Sequence, residues 1–212
     1  MTKELLKLYH AKKGEINKRL KEFKSVLEKP DEKIFSELAF CILTPQSKAV
    51  TCWNVIQSLE KNNLLLTGTA DQIRPFLNSV RFGENKTKYL LGARKVFYEN
   101  GRFKIKEKLS KLNETAKMRE WLIENVKGIG MKEASHFIRN IGLNDNQLAI
   151  LDVHILKNLV ELGVIEEVPK SLTKKTYLEI ERKMKDFADK LGITLDELDL
   201  LLWSKETGMI FK

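Results

Sequence analysis

The amino-acid sequence predicts an all-α protein, and three observations lead to this prediction. Apolar residues recur at spacings of three and four along most of the chain, which is typical of amphipathic helices. No stretch alternates apolar and polar residues for long enough to predict a convincing strand. The chain has only 4 prolines among 212 residues, so few positions interrupt a helical pattern. This length allows one large domain or two small ones.

The first half of the chain contains several helical patterns in succession. Residues 2–29 repeat apolar positions at helical spacing up to a proline, which predicts one or two amphipathic helices. Asp31 is expected to cap a helix that runs to about Leu43. Thr44 and Pro45 then form the cap and the first position of the next helix. The further helices predicted in this half cover residues 46–62, 70–77 and 86–100.

The second half is also helical. Residues 104–115 are basic and loosely patterned, which predicts a solvated face, with nucleic-acid contact as the alternative. Asp152 stands at the start of a later helix that Gly163 ends, and Thr194 caps the last helix. Outside the hairpin described below, the helices predicted here cover residues 153–162, 174–191 and 195–203.

The charge balance indicates an anionic partner. The chain carries 38 lysines and arginines against 29 aspartates and glutamates, a formal net charge of +9. Such an excess suits a polyanion, most often nucleic acid, and a basic protein without a specialised partner is the alternative. The first thirty residues do not resemble a secretory signal, and no apolar run is long enough to span a membrane. We therefore expect a cytoplasmic, nucleoid-associated protein without membrane contact.

The cysteines and histidines indicate no metal site. Cys41 and Cys52 are the only cysteines, and both lie in apolar helical patterns. Two thiols are too few for a four-thiolate zinc or iron–sulfur site, so we expect reduced cysteines in the core. The 3 histidines share no ligand spacing with cysteines or acids.

The segment Val126–Lys132, which reads V-K-G-I-G-M-K, predicts a hairpin between two helices. Residues 117–126 before it and the residues up to about Ile141 after it both have helical apolar patterns. Glycine supplies the positive φ that such a tight turn needs. The amides around Gly128 and Gly130 should point outward at a helix N-terminus, which suits a phosphate. Lys132 would then lie in the first turn of the second helix.

The hairpin and two further segments together resemble a known family. G-x-G-x-K is followed twenty residues later by Asp152, in the apolar run A-I-L-D-V-H-I-L. The segment A-S-H-F-I-R-N-I-G follows the lysine, and L-L-L-W-S-K-E-T-G-M-I-F-K ends the chain. The sequence is similar to the helix-hairpin-helix DNA glycosylases, and within them to the archaeal-type (type 2) 8-oxoguanine DNA glycosylase/AP lyases. The resemblance covers roughly residues 35–212.

The resemblance implies a bifunctional DNA repair enzyme. Lys132 would be the nucleophile and Asp152 its electrostatic partner, so that the enzyme excises 8-oxoguanine and cleaves the abasic site by β-elimination through a Schiff base. The implied fold has two helical lobes with a cleft for DNA between them. One lobe holds residues 30–141, and the other joins residues 1–29 to residues 148–212.

The resemblance also implies which residues reach the DNA and the damaged base. Gln46 and Phe82 match positions that fill the void left by an extruded nucleotide. Arg81, beside Phe82, is a candidate for the opposite base or a phosphate. The alternative for Gln46 is a plain surface position, and the alternative for Phe82 is a loop anchor in the core. Trp203 would stack on the lesion, and the C-terminal carboxylate of Lys212 would contact it. Phe211 belongs to the same tail, which is too apolar for a frayed end, although packing for stability alone is the alternative.

The implied partner is double-stranded DNA containing 8-oxoguanine, and we expect a monomer. No cofactor is expected to be required, although backbone carbonyls of the hairpin could hold a monovalent cation, as is common in this superfamily. Two alternative functions are open. One is an endonuclease III-like glycosylase for oxidised pyrimidines, and the other is a non-catalytic helix-hairpin-helix DNA-binding module.

Overall fold

Helices dominate the computed structural model, which describes residues 2–212, and the predicted all-α class is confirmed. The α-helices of the first half are α1 (Thr2–Ser25), α2 (Asp31–Leu43), α3 (Ala49–Lys61), α4 (Leu64–Thr67), α5 (Ala70–Ile73), α6 (Gly83–Phe97) and α7 (Ile105–Ser110). Those of the second half are α8 (Thr115–Asn125), α9 (Met131–Asn140), α10 (Val153–Glu161), α11 (Lys174–Leu191) and α12 (Leu195–Thr207). Short 3-10 helices cover Val26–Glu28 and Arg74–Ser79. Within residues 2–212, no helix is both long and apolar enough to cross a membrane.

The chain divides into two compact units, which are described separately. The central unit is Val26–Phe137, and the terminal unit joins the residues up to Ser25 with Ile138–Lys212. The central unit begins and ends four residues before the lobe expected over residues 30–141, and the second segment of the terminal unit begins ten residues before the expected residue 148. The division falls within α9, the helix that follows the glycine hairpin.

Helix α2 forms the core of the central unit. Ten consecutive residues from Ile34 to Leu43 are buried, and α3, α6 and α7 pack around them. In the terminal unit α12 has the corresponding place, because α1, α10 and α11 all pack against it. Thr194 and Glu197 begin α12 with a capping box, as expected from the threonine, but the helix continues four residues past Trp203.

Three local predictions are wrong. Asp31 does not cap its own helix; its carboxylate instead accepts hydrogen bonds from the Ile105 and Lys106 amides at 3.1 and 3.4 Å, and so caps α7. The third helix does not begin after Pro45, because residues 44–48 form a turn and α3 starts at Ala49. A two-stranded hairpin, Tyr98–Glu99 with Arg102–Phe103, was also missed. Its signal was Asn100-Gly101, a turn dipeptide whose residues have φ values of 51° and 80°.

Candidate active site

The glycine turn between α8 and α9 has the predicted hairpin form. Gly128 has a φ of +91°, and a Cβ placed on it would lie 2.4 Å from Cδ2 of Tyr89. Both facts require glycine, because other residues rarely adopt this φ and the ring leaves no space for a side chain. Gly130 lies outside the left-handed region. Lys132 follows in the first turn of α9, as expected.

A carboxylate at the hairpin, which the sequence reasoning missed, contacts both the turn and the lysine. Glu133 Oε1 lies 3.0 Å from Lys132 Nζ. Its other oxygen, Oε2, accepts a hydrogen bond from the Gly130 amide at 3.1 Å. The amide expected to meet a phosphate is therefore occupied by the side chain of Glu133. A glutamate three residues after a helix cap is the signal that would have found this contact.

Two further residues of the central unit lie close enough to Lys132 to interact with it. Burial raises the pKa of the Cys52 thiol to about 11, and the charges of Lys86 and Lys132 oppose this rise. Burial lowers the pKa of Lys86, and the ammonium group of Lys132 lowers it further. Lys86 was not predicted as a site residue. Its signal was its position at the head of a buried stripe that continues through Leu90 and Ala93.

Asp152 lies in the terminal unit, where it caps α10 as predicted. Its Oδ1 accepts hydrogen bonds from the amides of His154 and Ile155 at 2.9 and 2.8 Å. A buried ion pair between Arg139 and Asp199, with 3.2 Å between Nη2 and Oδ2, belongs to the same unit. Burial raises the pKa of Asp199 to about 7; Arg139 opposes the rise, and the negative charge of Asp152 adds to it. Asp152 is therefore electrostatically coupled to this pair, which sequence reasoning missed.

The three candidate DNA contacts of the central unit lie on two loops that meet. Gln46 is exposed on the turn after α2, and Phe82, a residue that is 54% exposed, precedes α6. The guanidinium carbon of Arg81 lies 5.4 Å from the centre of the Phe82 ring. The Arg81 amide donates a hydrogen bond to Ser47 Oγ at 3.1 Å, which joins the two loops.

The candidate lesion contacts lie together at the end of the terminal unit. The rings of Trp203 and Phe211 stack, with 6.2 Å between their centres and 27° between their planes. Gly208 ends α12 with a φ of +79°, which turns the chain back along the helix. Lys212 is half-buried. The tail is thus folded against its own unit.

The predicted site residues form three groups and one separate residue. Lys132 and the glycines share the hairpin, the loop residues Gln46, Arg81 and Phe82 share a second region of the same unit, and Trp203, Phe211 and Lys212 share the tail. Asp152, at the start of α10 in the terminal unit, belongs to none of these groups. Within residues 2–212, no group of three or more histidine, cysteine or acidic side chains is placed to hold a metal ion. The backbone carbonyl oxygens of the hairpin are ligands of the kind that a monovalent cation binds. The Val126 carbonyl oxygen also accepts a hydrogen bond from the Ile129 amide at 3.2 Å.

An all-α fold with a glycine turn that joins two helices, and with a lysine in the first turn of the second helix, is typical of the helix-hairpin-helix class of proteins. Comparison with known proteins identifies the family within this class to which the chain belongs. The family model for 8-oxoguanine DNA glycosylases matches residues 16–193. The chain belongs to this 8-oxoguanine DNA glycosylase family.

Individual relatives agree with this assignment over nearly the whole chain. An 8-oxoguanine DNA glycosylase/AP lyase of Fusobacterium nucleatum is 50% identical over 210 residues, covering 99% of this chain and 96% of the relative. The solved 8-oxoguanine glycosylase/lyase of Methanocaldococcus jannaschii, in complex with 15mer DNA containing 8-oxoguanine, is 36% identical. The match has a TM-score of 0.90 and covers 100% of this chain and 99% of the relative. The Thermotoga maritima 8-oxoguanine DNA glycosylase matches with a TM-score of 0.85 at 31% identity, covering 100% and 98%.

Proposed function

We propose that this protein excises 8-oxoguanine from double-stranded DNA and then cleaves the strand at the abasic site. Membership of the family and the names of its relatives support both activities. The net charge of +9 suits a DNA partner. The observation that carries the residue assignment is Lys132, whose side chain is 22% exposed in the first turn of α9, after the glycine hairpin.

The chemistry needs an amine and a carboxylate at the sugar. As the bond between C1′ and the base breaks, its electrons leave with the base and positive charge develops on the sugar. The neutral amine of Lys132 attacks C1′ and forms a new C–N bond, and the sugar ring opens to a Schiff base. Loss of a proton from C2′ then expels the 3′ phosphate by β-elimination. Water releases the lysine at the end.

Glu133 is the group that we assign to hold Lys132 before the attack. The lysine must lose a proton to become a nucleophile, and a carboxylate oxygen 3.0 Å from Nζ can accept it. Because the same carboxylate accepts the Gly130 amide, its orientation is fixed by the turn.

Asp152 would stabilise the positive charge on the sugar. Its Oδ1 is held by two amides of α10, so the carboxylate has a fixed direction. Among residues 2–212 the second oxygen, Oδ2, makes no hydrogen bond, so it is available to the charge that develops on the sugar. The cap and the electrostatic role are compatible, because they use different oxygens.

Recognition of the damaged base is assigned to the tail. Guanine has an acceptor at N7, whereas 8-oxoguanine has an N–H donor there, so selectivity requires an acceptor such as the terminal carboxylate of Lys212. The stacked rings of Trp203 and Phe211 supply the flat apolar surface that a purine needs. No metal cofactor is required by this chemistry, since side chains supply both the nucleophile and the charge.

The test compares Lys132→Gln with Lys127→Gln, which removes an exposed lysine from the same turn. Both proteins are assayed on duplexes that contain 8-oxoguanine or an oxidised pyrimidine. We expect Lys132→Gln to lose at least about a thousandfold in excision of 8-oxoguanine, because the nucleophile is gone. DNA affinity should change only a few-fold in both variants.

Retained excision in Lys132→Gln would refute the assignment of the nucleophile. Activity of the unsubstituted protein on the pyrimidine lesion alone would favour the endonuclease III-like alternative. DNA binding without any excision would favour a non-catalytic module.

A further inference from the structure

Lys86 is a buried ammonium group in the first turns of α6. Only 3% of the residue is exposed. Its Nζ donates hydrogen bonds to the carbonyl oxygens of Leu43 and Pro45, both at 2.7 Å, and to Ser47 Oγ at 3.1 Å. All three acceptors belong to the end of α2 and the turn after it, some forty residues earlier in the chain.

The burial of a lysine at this position is energetically unfavourable. Removing an ammonium group from water is unfavourable, and an apolar side chain of similar volume would often stabilise a core as well or better. The lysine is therefore best explained by the carbonyl groups that it holds. The Leu43 carbonyl is an orphan acceptor at the end of α2, and the Pro45 carbonyl belongs to the turn that follows.

Ser47 extends this contact to a second loop. Its Oγ accepts hydrogen bonds from Lys86 Nζ and from the Arg81 amide, both at 3.1 Å. The Cys52 thiol adds a further donor, since Sγ lies 3.2 Å from the Leu43 carbonyl oxygen that also binds Lys86. Residues 44–48 and the segment before α6 are thereby tied together through one lysine and one hydroxyl group.

Each loop carries a residue in an unfavourable backbone conformation. Gln46 has a φ of 54° and Phe82 a φ of 59°, and both are exposed. Non-glycine residues in the left-handed region persist only where the surrounding structure enforces them, and they cluster at functional sites. Glycine would remove the strain at either position, so the side chains themselves must be of use.

We propose that Lys86 and Ser47 form a brace that presents Gln46 and Phe82 as one rigid pair to the void left by the extruded nucleotide. This inference rests on the proposed function. Lys86 is a positioning residue, because its ammonium group is buried and binds protein atoms at the end of α2 and in the turn after it. Without the brace the loops would move independently, and the cost of unstacking the base would no longer be offset.

The experiment separates base extrusion from chemistry. Excision of 8-oxoguanine from a duplex under single-turnover conditions requires extrusion, whereas cleavage of a preformed abasic site in single-stranded DNA does not. The ratio of the two rates is measured for the unsubstituted protein, Lys86→Met, Ser47→Ala and Ser47→Thr. Lys88→Met, which removes an exposed lysine of the same helix, is the matched control. A 2-aminopurine beside the lesion reports extrusion by its fluorescence.

We expect the ratio to fall about tenfold or more in Lys86→Met and by somewhat less in Ser47→Ala, in keeping with the loss of one or more buried hydrogen bonds. The fluorescence rise on extrusion should shrink in parallel. Ser47→Thr keeps the hydroxyl group and should restore most of the ratio, and Lys88→Met should leave it unchanged. If Lys86→Met does not fold, the difference in the ratio between Ser47→Ala and Ser47→Thr shows whether the brace is needed for extrusion.

An unchanged ratio in the folded variants would overturn the brace in a protein that is otherwise active. If both rates fall equally, Lys86 acts on the neighbouring Lys132 or on stability alone. If neither rate falls, Lys86 has no part in extrusion. Failure of the proposed function is distinguishable, because the unsubstituted protein would then excise no 8-oxoguanine and both ideas would fall together.

Discussion

Two regions of the central unit place the chain in the left-handed conformation by opposite means. The hairpin uses Gly128, whose φ of +91° costs little and whose missing side chain makes room for Tyr89. The braced loops use Gln46 and Phe82, which carry side chains at comparable positive φ values. A non-glycine residue in the left-handed conformation lowers the stability of the fold by about 1–2 kcal/mol relative to glycine. The hairpin thus depends on its backbone conformation, whereas in the proposed brace the loops depend on their side chains.

The largest expected effect in this comparison follows from Gly128→Ala. The added Cβ would meet the Tyr89 ring at 2.4 Å in a conformation that alanine rarely adopts. We expect the free energy of unfolding to fall by about 2–4 kcal/mol, as measured by urea denaturation. Gly92→Ala is the control, because no atom lies within 4 Å of a Cβ there and α6 should gain about 1 kcal/mol. A similar small change in both variants would mean that the hairpin does not depend on its glycine.

Phe82→Gly should leave stability nearly unchanged and reduce excision, which is the opposite of the effect expected for Gly128→Ala. Relief of backbone strain and the greater flexibility of glycine nearly cancel, so the free energy of unfolding should change by less than about 1 kcal/mol. Excision of 8-oxoguanine from a duplex should fall about tenfold, because the apolar wedge is lost. Cleavage of an abasic site in single-stranded DNA should not change. A large loss of stability with normal excision would show that Phe82 serves only packing.

The smallest effect concerns the thiol beneath the brace. Burial raises the pKa of Cys52 to about 11, above the value of 9.0 for an exposed thiol. Between these pH values the unfolded chain has lost the proton that the folded chain retains, so folding becomes less favourable as the pH rises. We expect the free energy of unfolding to fall between pH 9 and 11 by about 1 kcal/mol more than in Cys52→Ser, which donates but does not titrate there. Parallel curves for the two proteins would contradict this.

The sequence predicted those features whose causes are local. Apolar periodicity and capping residues placed α11 correctly and put Asp152 at the start of α10. The glycine turn was evident because its conformation depends on the residues within it. These features need no knowledge of distant parts of the chain.

The features that escaped prediction depend on distant contacts. Residues 44–48 do not continue into a helix, because Lys86 binds the carbonyl groups of Leu43 and Pro45 from forty residues away. Asp31 caps α7 instead of its own helix for the same kind of reason. The pairing of Arg139 with Asp199 likewise joins two helices that periodicity treats separately. Periodicity identifies a buried position, but it does not identify the partner of a buried charge.

Trapping of the covalent intermediate tests the central claim most directly. The protein is incubated with a duplex containing 8-oxoguanine in the presence of borohydride, which reduces a Schiff base to a stable amine. The adduct is then digested, and the modified peptide is sequenced by mass spectrometry. We predict that the nucleotide is attached to Lys132 and that Lys127→Gln gives the same adduct in normal yield. Attachment to any other residue, or excision of the lesion without an adduct, would contradict the account.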